Sequence, residues 1–374
     1  MQDYYQQNVF GNGYSNVALQ LSFVGTICLI FSNCMGPFAQ ILQSYIGTRG
    51  VLFIGTIFIA LGLIIAGFAH EIWHLYLTQG LMFGVGVSFM YVTIMSVAPT
   101  YFTRKRGMAL GIISSGSGIG GLIIPFIMTP INRSLGAGWT YRILGFICLA
   151  CDLVATALVK ERIPRKRKQH KKLSDIIKFE VLKDVNFGIW CAGAALQLMA
   201  YFQPFFFLPS YATWIGLSDS QGSSLVAVAS AMNFLGRILC GLVADRIGPL
   251  NANIIFILMS ALSTLLIWTF AFNYGTLMAY SVVFGLFCGS YFAQLSPITA
   301  AILGMERFPT GLSLVLLFNC IAVFGPNIAS GIEGAVSSQP FLTYKMFTGV
   351  VFLAAAAVMI LLRFRMNRKL FSKC

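Results

Sequence analysis

Residues 106–131 read RGMALGIISSGSGIGGLIIPFIMTPI, and residues 307–332 read RFPTGLSLVLLFNCIAVFGPNIASGI. Set one above the other at an offset of 201 positions, they align Arg106 with Arg307 and Pro125 with Pro326. The same offset brings Gly47 onto Gly248. Each pair holds the same place relative to its apolar runs. A parallel internal repeat of apolar helices is the signature of a membrane carrier built from two related bundles. The offset also sets Met1 opposite Phe202, so the apolar stretch from about 187 to 201 has no counterpart in the first half. The expectation is a twelve-helix architecture lacking its first helix, and Met1-Gln2-Asp3-Tyr4-Tyr5 reads like the outer loop that would follow it.

Composition supports a lipid solvent. Mean hydropathy is +0.81, and only 10% of the residues are charged. Apolar runs of about 20 residues recur, each long enough to cross a hydrocarbon layer as a helix. They do not alternate in polarity as membrane strands do. The fold class is therefore an all-α integral membrane protein. Eleven spans are expected, at 17–42, 51–69, 75–98, 108–131, 140–159, 187–212, 220–243, 252–272, 276–302, 311–332 and 341–362. They divide into a five-span bundle over 1–159, a basic linker over 160–186, and a six-span bundle with a basic tail over 187–374. The first sixteen residues lack a basic n-region, so the first span reads as an uncleaved anchor.

The net charge of +14 is distributed by side. Arg49, Arg104-Lys105-Arg106, ten residues between Lys160 and Lys183, Arg246, Arg307 and five residues after the last span fall on alternate loops and the tail. The other side holds Arg133, Arg142 and Lys345. Positive loops stay cytoplasmic, which places the C-terminus and the linker inside; the plasma membrane is expected ahead of internal membranes, though the charges do not decide it. Within the linker, Leu173, Ile176, Ile177 and Val181 share a helical face, so a helix on the anionic inner leaflet and a solvated linker are both open readings. The basic run carries no interleaved aromatics, which argues against nucleic acid.

Charged groups inside a membrane are costly and mark function. Arg237 lies within a span, with Asn233 one turn before it. A guanidinium in a low-dielectric cavity anchors a carboxylate through paired charge-assisted bonds; near the inner helix end it could instead snorkel. Asp152, in the fifth span, is a candidate proton site or a bundle-interior hydrogen bonder. Gly107/Gly111, Gly116/Gly120 and Gly80/Gly84/Ser88 have the small-xxx-small spacing of closely packed helices.

Other motifs carry less. His70-Glu71-Ile72-Trp73-His74 matches a zinc-protease pattern, but it sits in a short outer loop without a third ligand, and no metal or cofactor is expected. Eight of nine cysteines lie in spans, including Cys148 and Cys151, and read as packed thiols; Cys374 fits no prenylation box. The sequon Asn132-Arg133-Ser134 lies too close to the membrane for modification. There is no Walker loop and no credible nucleophile, so neither ATP drive nor an enzyme is indicated.

The stretch Tyr101-Phe102-Thr103-Arg104-Lys105-Arg106-Gly107-Met108-Ala109-Leu110-Gly111 with Ser115-Gly116-Ser117-Gly118-Ile119-Gly120 resembles the fourth-to-fifth helix signature of the monocarboxylate porter family, within the major facilitator superfamily. Asn233-Phe234-Leu235-Gly236-Arg237 with Ala244-Asp245-Arg246-Ile247-Gly248 is similar to its eighth-helix motif. Residues 201–208 and Phe324-Gly325-Pro326 fit the fungal branch. The resemblance implies a two-bundle fold, alternating access and a substrate held between the bundles. It implies that Arg237 binds a carboxylate and that Asp245, Arg246 and Gly248 form a gating motif, matched in the first half only by Ser44-Tyr45-Ile46-Gly47. Family members that are proton symporters carry an aspartate where this chain has Asn233, and an amide cannot titrate. The cavity-lining helices of the family correspond to spans three, six and nine, whose polar residues include Tyr91, Gln197, Tyr201, Gln203, Tyr291 and Gln294. The substrate implied is a small organic acid or related metabolite. Export of a secondary metabolite and a truncated, non-transporting sensor are the rival readings, and no obligate protein partner is implied.

Overall fold

A computed structural model describes residues 17–102, 105–160, 179–336 and 339–366. The described residues are helices joined by short turns. Eight helical runs are long and apolar enough to cross a membrane, among them Ile72–Tyr101, Val185–Trp214, Asp219–Ile247 and Leu342–Met366. Helices are the outcome lipid requires, since each segment satisfies its own backbone. The run Arg106–Leu158 has 53 residues, which would span about 80 Å as one rod, far beyond a hydrocarbon layer. Gly136, with φ 79°, breaks it. Gly47 and Gly304 do the same within Gly36–Ala66 and Ser290–Ala322. Where the sequence suggested loops of eight or so residues, a single reversed glycine suffices.

The repeat is visible in the backbone. Gly47 has φ 88° and ψ 170°, and Gly248 has φ 96° and ψ 149°. This region is open in practice only to glycine. Matching residues thus make matching turns.

The chain forms two compact units. One comprises Met1–Val97 and Ile124–Lys178; the other comprises Ala98–Ile123 and Phe179–Cys374. In the first, Leu52, Ile59, Leu63, Leu75, Met90 and Tyr141 make the core. Arg49 donates to the carbonyls of Val159 and Ala157, at 2.7 and 3.3 Å, a cation placed at the end of a helix. Arg142 lies 3.7 Å over the Phe68 ring and donates to Gly67 O. In the second unit, Gln197 exchanges hydrogen bonds with Asn253 and donates to Ser290 Oγ at 2.8 Å. Gln197 is therefore a packed strut. Lys345 is buried with its ammonium 3.9 Å over Tyr211.

One packing expectation changes. Gly107, Gly111 and Gly118 meet the helix Asp219–Ile247, whereas Gly116 has nothing near it. On a helix, 107, 111, 114 and 118 share one face, and 116 lies on another. Gly80 and Gly84 do pack closely, against Ile27 and Cys28 of the helix Val17–Cys34. In the linker, Leu173, Ile176 and Ile177 lie outside the described residues, as do His170, Arg104, Cys374 and the tail beyond Met366. Val181 is buried within the short turn Phe179–Lys183.

Candidate functional site

The site is built on Arg237, only 4% exposed. It lies mid-way along Asp219–Ile247, a helix started by a capping box between Ser218 and Gln221. Its Nε donates to Asn233 Oδ1 at 2.6 Å. Nη1 donates to Ser114 O at 2.7 Å and Ser117 Oγ at 2.6 Å. Nη2 donates to Tyr201 OH at 3.3 Å, and the guanidinium lies 4.4 Å over the Phe292 ring. A guanidinium has five N–H donors, and four of them meet neutral oxygens here. Asn233 is fixed in turn, since its Nδ2 donates to Tyr201 OH and Cys288 Sγ. Tyr201 packs against the rings of Phe202, Phe205 and Phe292. The result is a buried cation in a cradle of hydroxyl, amide and aromatic groups.

The local backbone makes room for this cluster. The helix Tyr274–Cys288 stops at Gly289, and a new helix begins at Ser290. A Cβ on Gly289 would come within 2.6 Å of Asn233 Oδ1 and 3.0 Å of Arg237 Nε. A Cβ on Gly111 would come within 2.6 Å of Arg237 O. Broken helices at membrane depth occur where they are buried in protein or line a cavity.

Two turns beyond Arg237, Asp245 accepts from Gly107 N at 2.8 Å and from Met108 N at 2.9 Å. These are orphan donors at the start of Arg106–Leu158, where the helix dipole also favours an anion. Gly248 supplies the reversed turn that follows, and Arg246 is exposed. A cavity of about 190 Å³ opens beside this cap, lined by Pro99, Arg106, Leu110, Pro249, Ser296 and Pro297 among others.

Of the residues singled out from sequence, Arg237, Asn233 and Tyr201 come together. Gln294 donates to Cys240 O and Sγ instead. Tyr291 OH accepts from Asn319 Nδ2. Gln203 is fully buried, with neither amide atom hydrogen-bonded among the described residues. Tyr91 is half-buried in Ile72–Tyr101, in the other compact unit. Asp152 is half-exposed between exposed Cys151 and Leu153 rather than enclosed. Ser114, Ser117, Cys288 and Phe292 were missed. The hydroxyls of SSGSG inside an apolar span were the available signal for Ser117; Ser114 contributes a backbone carbonyl, which no side chain announces. The His70–His74 motif starts a helix: His74 Nδ1 accepts from Glu71 N, and the Glu71 carboxylate accepts from Trp73 Nε1.

Fold and site together define a multi-pass helical membrane carrier. The profile of the Major Facilitator Superfamily matches residues 8–326, and the chain belongs to that superfamily of transporters. It is 30% identical to Monocarboxylate transporter 3 of Rattus norvegicus, over 91% of this chain and 71% of that one. It is 28% identical to the Agnestins efflux protein of Paecilomyces divaricatus, over 100% of this chain and 84% of the relative. Among solved structures, the human organic anion transporter MFSD10 superposes with a TM-score of 0.73 at 14% identity, covering 96% of this chain and 88% of that one. That likeness shows the fold.

Proposed function

We propose that this transporter carries a small organic acid as its anion, by alternating access, with Arg237 as the anchor. The observation that carries the reading is a buried guanidinium whose hydrogen-bond partners among the described residues are all neutral. A cation desolvated without a counter-ion is costly, and a carboxylate arriving beside it removes that cost. The aromatic wall of Phe202, Phe205 and Phe292 suits an amphipathic or aromatic acid. The name of one relative, a monocarboxylate transporter, supports an organic acid as substrate, and that of another, an efflux protein, supports export. Tyr201 and Asn233 orient the anchor. Gln203, Tyr291 and Gln294 are buried nearby and act on the substrate only through a change of conformation, and Asn in place of Asp152 changes pH dependence if that residue is the proton-linked group. Asp245, Arg246 and Gly248 form the inner latch.

We read eleven crossings, with the division between repeats in the linker 160–186, the C-terminus in the cytosol, and the plasma membrane as location. The basic linker meets anionic lipid. The chain does no covalent chemistry and needs no cofactor or nucleic acid. Reconstituted vesicles given radiolabelled pyruvate, phenylpyruvate and a neutral sugar test the reading. Saturable uptake of an acid, lost in Arg237→Ala at unchanged membrane abundance, is expected. Undiminished uptake by that variant rejects the anchor. Export as the physiological direction, favoured by the efflux relatives, predicts higher affinity on the cytosolic face.

A further inference from the structure

We infer that the cavity of about 190 Å³ beside the Asp245 cap is a second station for the substrate, where a short organic acid stops between Arg237 and the cytosol with its carboxylate on Arg106 and the Ser296 hydroxyl. The station presupposes Arg237 as the anchor and adds a step on its inner side.

The cavity lies inward of the Arg237 cradle on the same three helices. Ser114 offers its carbonyl to Arg237, and Leu110, one turn nearer the start of that helix, lines the cavity. Phe292 covers the guanidinium, and Ser296, one turn further along Ser290–Ala322, lines the cavity. Asp245 lines it from Asp219–Ile247, eight residues beyond Arg237 and about 12 Å away by helix rise. Residues four apart on a helix lie one above the other on one face. Each of the three helices thus gives one residue to the cradle and another, one or two turns inward, to the cavity. All the lining residues belong to a single compact unit, Ala98–Ile123 with Phe179–Cys374.

The lining matches the two ends of an organic acid. Pro99, Leu110, Pro249 and Pro297 form an apolar wall. Arg106 is half-buried, and its Nε donates to Phe102 O at 2.7 Å, which fixes the stem. Its terminal nitrogens carry four further donors in the fork that fits a carboxylate. Ser296 is 1% exposed, and its Oγ has no hydrogen-bond partner among the described residues. A buried hydroxyl without a partner costs stability, and a polar ligand in the cavity removes that cost. Asp245 points its two oxygens at Gly107 N and Met108 N, so the start of the helix balances its charge.

Size and strength both suit a place of passage. At about 30 Å³ per water, the volume admits several waters or one short acid of the same bulk. A half-exposed cation with a carboxylate nearby holds an anion weakly, and a station on a path must release what it receives. Concentrations that just fill Arg237 therefore leave the station largely empty.

The test uses the full chain in liposomes of one orientation, with radiolabelled pyruvate followed as uptake through the outer face and efflux through the inner face. Arg106→Gln and Ser296→Ala, at equal abundance in the vesicles, should each raise the half-saturation concentration of efflux about fivefold and leave that of uptake unchanged. Arg106→Lys should fall between, keeping the charge and losing the fork. Ala300→Leu fills the cavity without altering its polar groups; it should slow flux in both directions while calorimetry still finds pyruvate bound at Arg237. Half-saturation values unchanged in Arg106→Gln and Ser296→Ala, with flux lost in Arg237→Gln, would overturn the station and leave the anchor. Equal shifts at both faces would make Arg106 and Ser296 parts of the latch alone and overturn the station too. Undiminished flux in Arg237→Gln would reject the anchor, and the station with it.

A substrate-free readout closes the test. Ser296→Ala should melt at or above the unaltered protein in detergent, because it removes a buried hydroxyl that lacks a partner. A clear loss of stability would mean that the hydroxyl is structural, and the station would lose its second donor.

Discussion

The turns at 44–47 and 245–248 occupy equivalent places in the repeat and share a backbone, yet they hold different chemistry. Gly47 and Gly248 both adopt the reversed, extended conformation. Three residues earlier, Ser44 donates its hydroxyl back to Ile41 O within its own helix. Its counterpart Asp245 reaches across to cap another helix at Gly107 and Met108. Two turns earlier, Gly36 in the first half stands where Arg237 stands in the second, and Ser32 where Asn233 stands. Ser32 also bonds back to its own helix, at Leu29 O. The repeat preserves what shapes the chain. At these equivalent positions, charge occurs only in the second half, as Arg237 and Asp245.

The largest break of that comparison is Arg237→Gln. Flux of an organic acid should fall by about two orders of magnitude, because an amide supplies neither charge nor the forked donors. Arg237→Lys should fall between, keeping the charge and losing the fork. Flux and surface abundance measured together check both.

Next come the two glycines. Gly47→Ala and Gly248→Ala should each cost about 1–3 kcal/mol, the price of that backbone for a residue with a Cβ. Melting temperatures of the two variants should drop alike, because the conformations match. A drop at only one position would show that the turns are not equivalent.

The third contrast is the latch. Asp245→Asn should cost about 1–2 kcal/mol of capping and shift the carrier toward forms in which Gly107 and Met108 are uncapped, read by hydrogen exchange at those amides. Ser44→Ala should leave the amides of its own half within about 0.5 kcal/mol of their original protection, since a hydroxyl bonding back within its helix adds little. The smallest effect is Tyr201→Phe. Losing the hydroxyl that meets Arg237 and Asn233 should raise the half-saturation concentration a few-fold, about 1 kcal/mol.

Much of this was legible beforehand. Hydropathy and the offset repeat gave the helical class and identified Gly47 and Gly248 as equivalents, because turns in lipid have few solutions. Arg237 was visible as a charge in a span, and Asn233 and Tyr201 came with it. The cradle was not. Ser114 and Ser117 lie 120 or more positions from Arg237 in sequence, and nothing local says which face of the SSGSG run meets it. Helical phase explains why Gly118 rather than Gly116 packs. Cys288 and Phe292 flank a helix break at Gly289, where a Cβ would meet Asn233 Oδ1, and a contact between residues more than 50 positions apart has no signature in composition. Gln294 was chosen for its polarity, but it faces Cys240.

The account turns on Arg237 being a cation that waits for a counter-ion. Calorimetry of phenylpyruvate binding to the purified protein, beside its Arg237→Gln variant, measures this most directly. Saturable binding with a one-to-one stoichiometry, absent in the variant while its melting transition stays cooperative, is the predicted result. Equal binding by both proteins would contradict it.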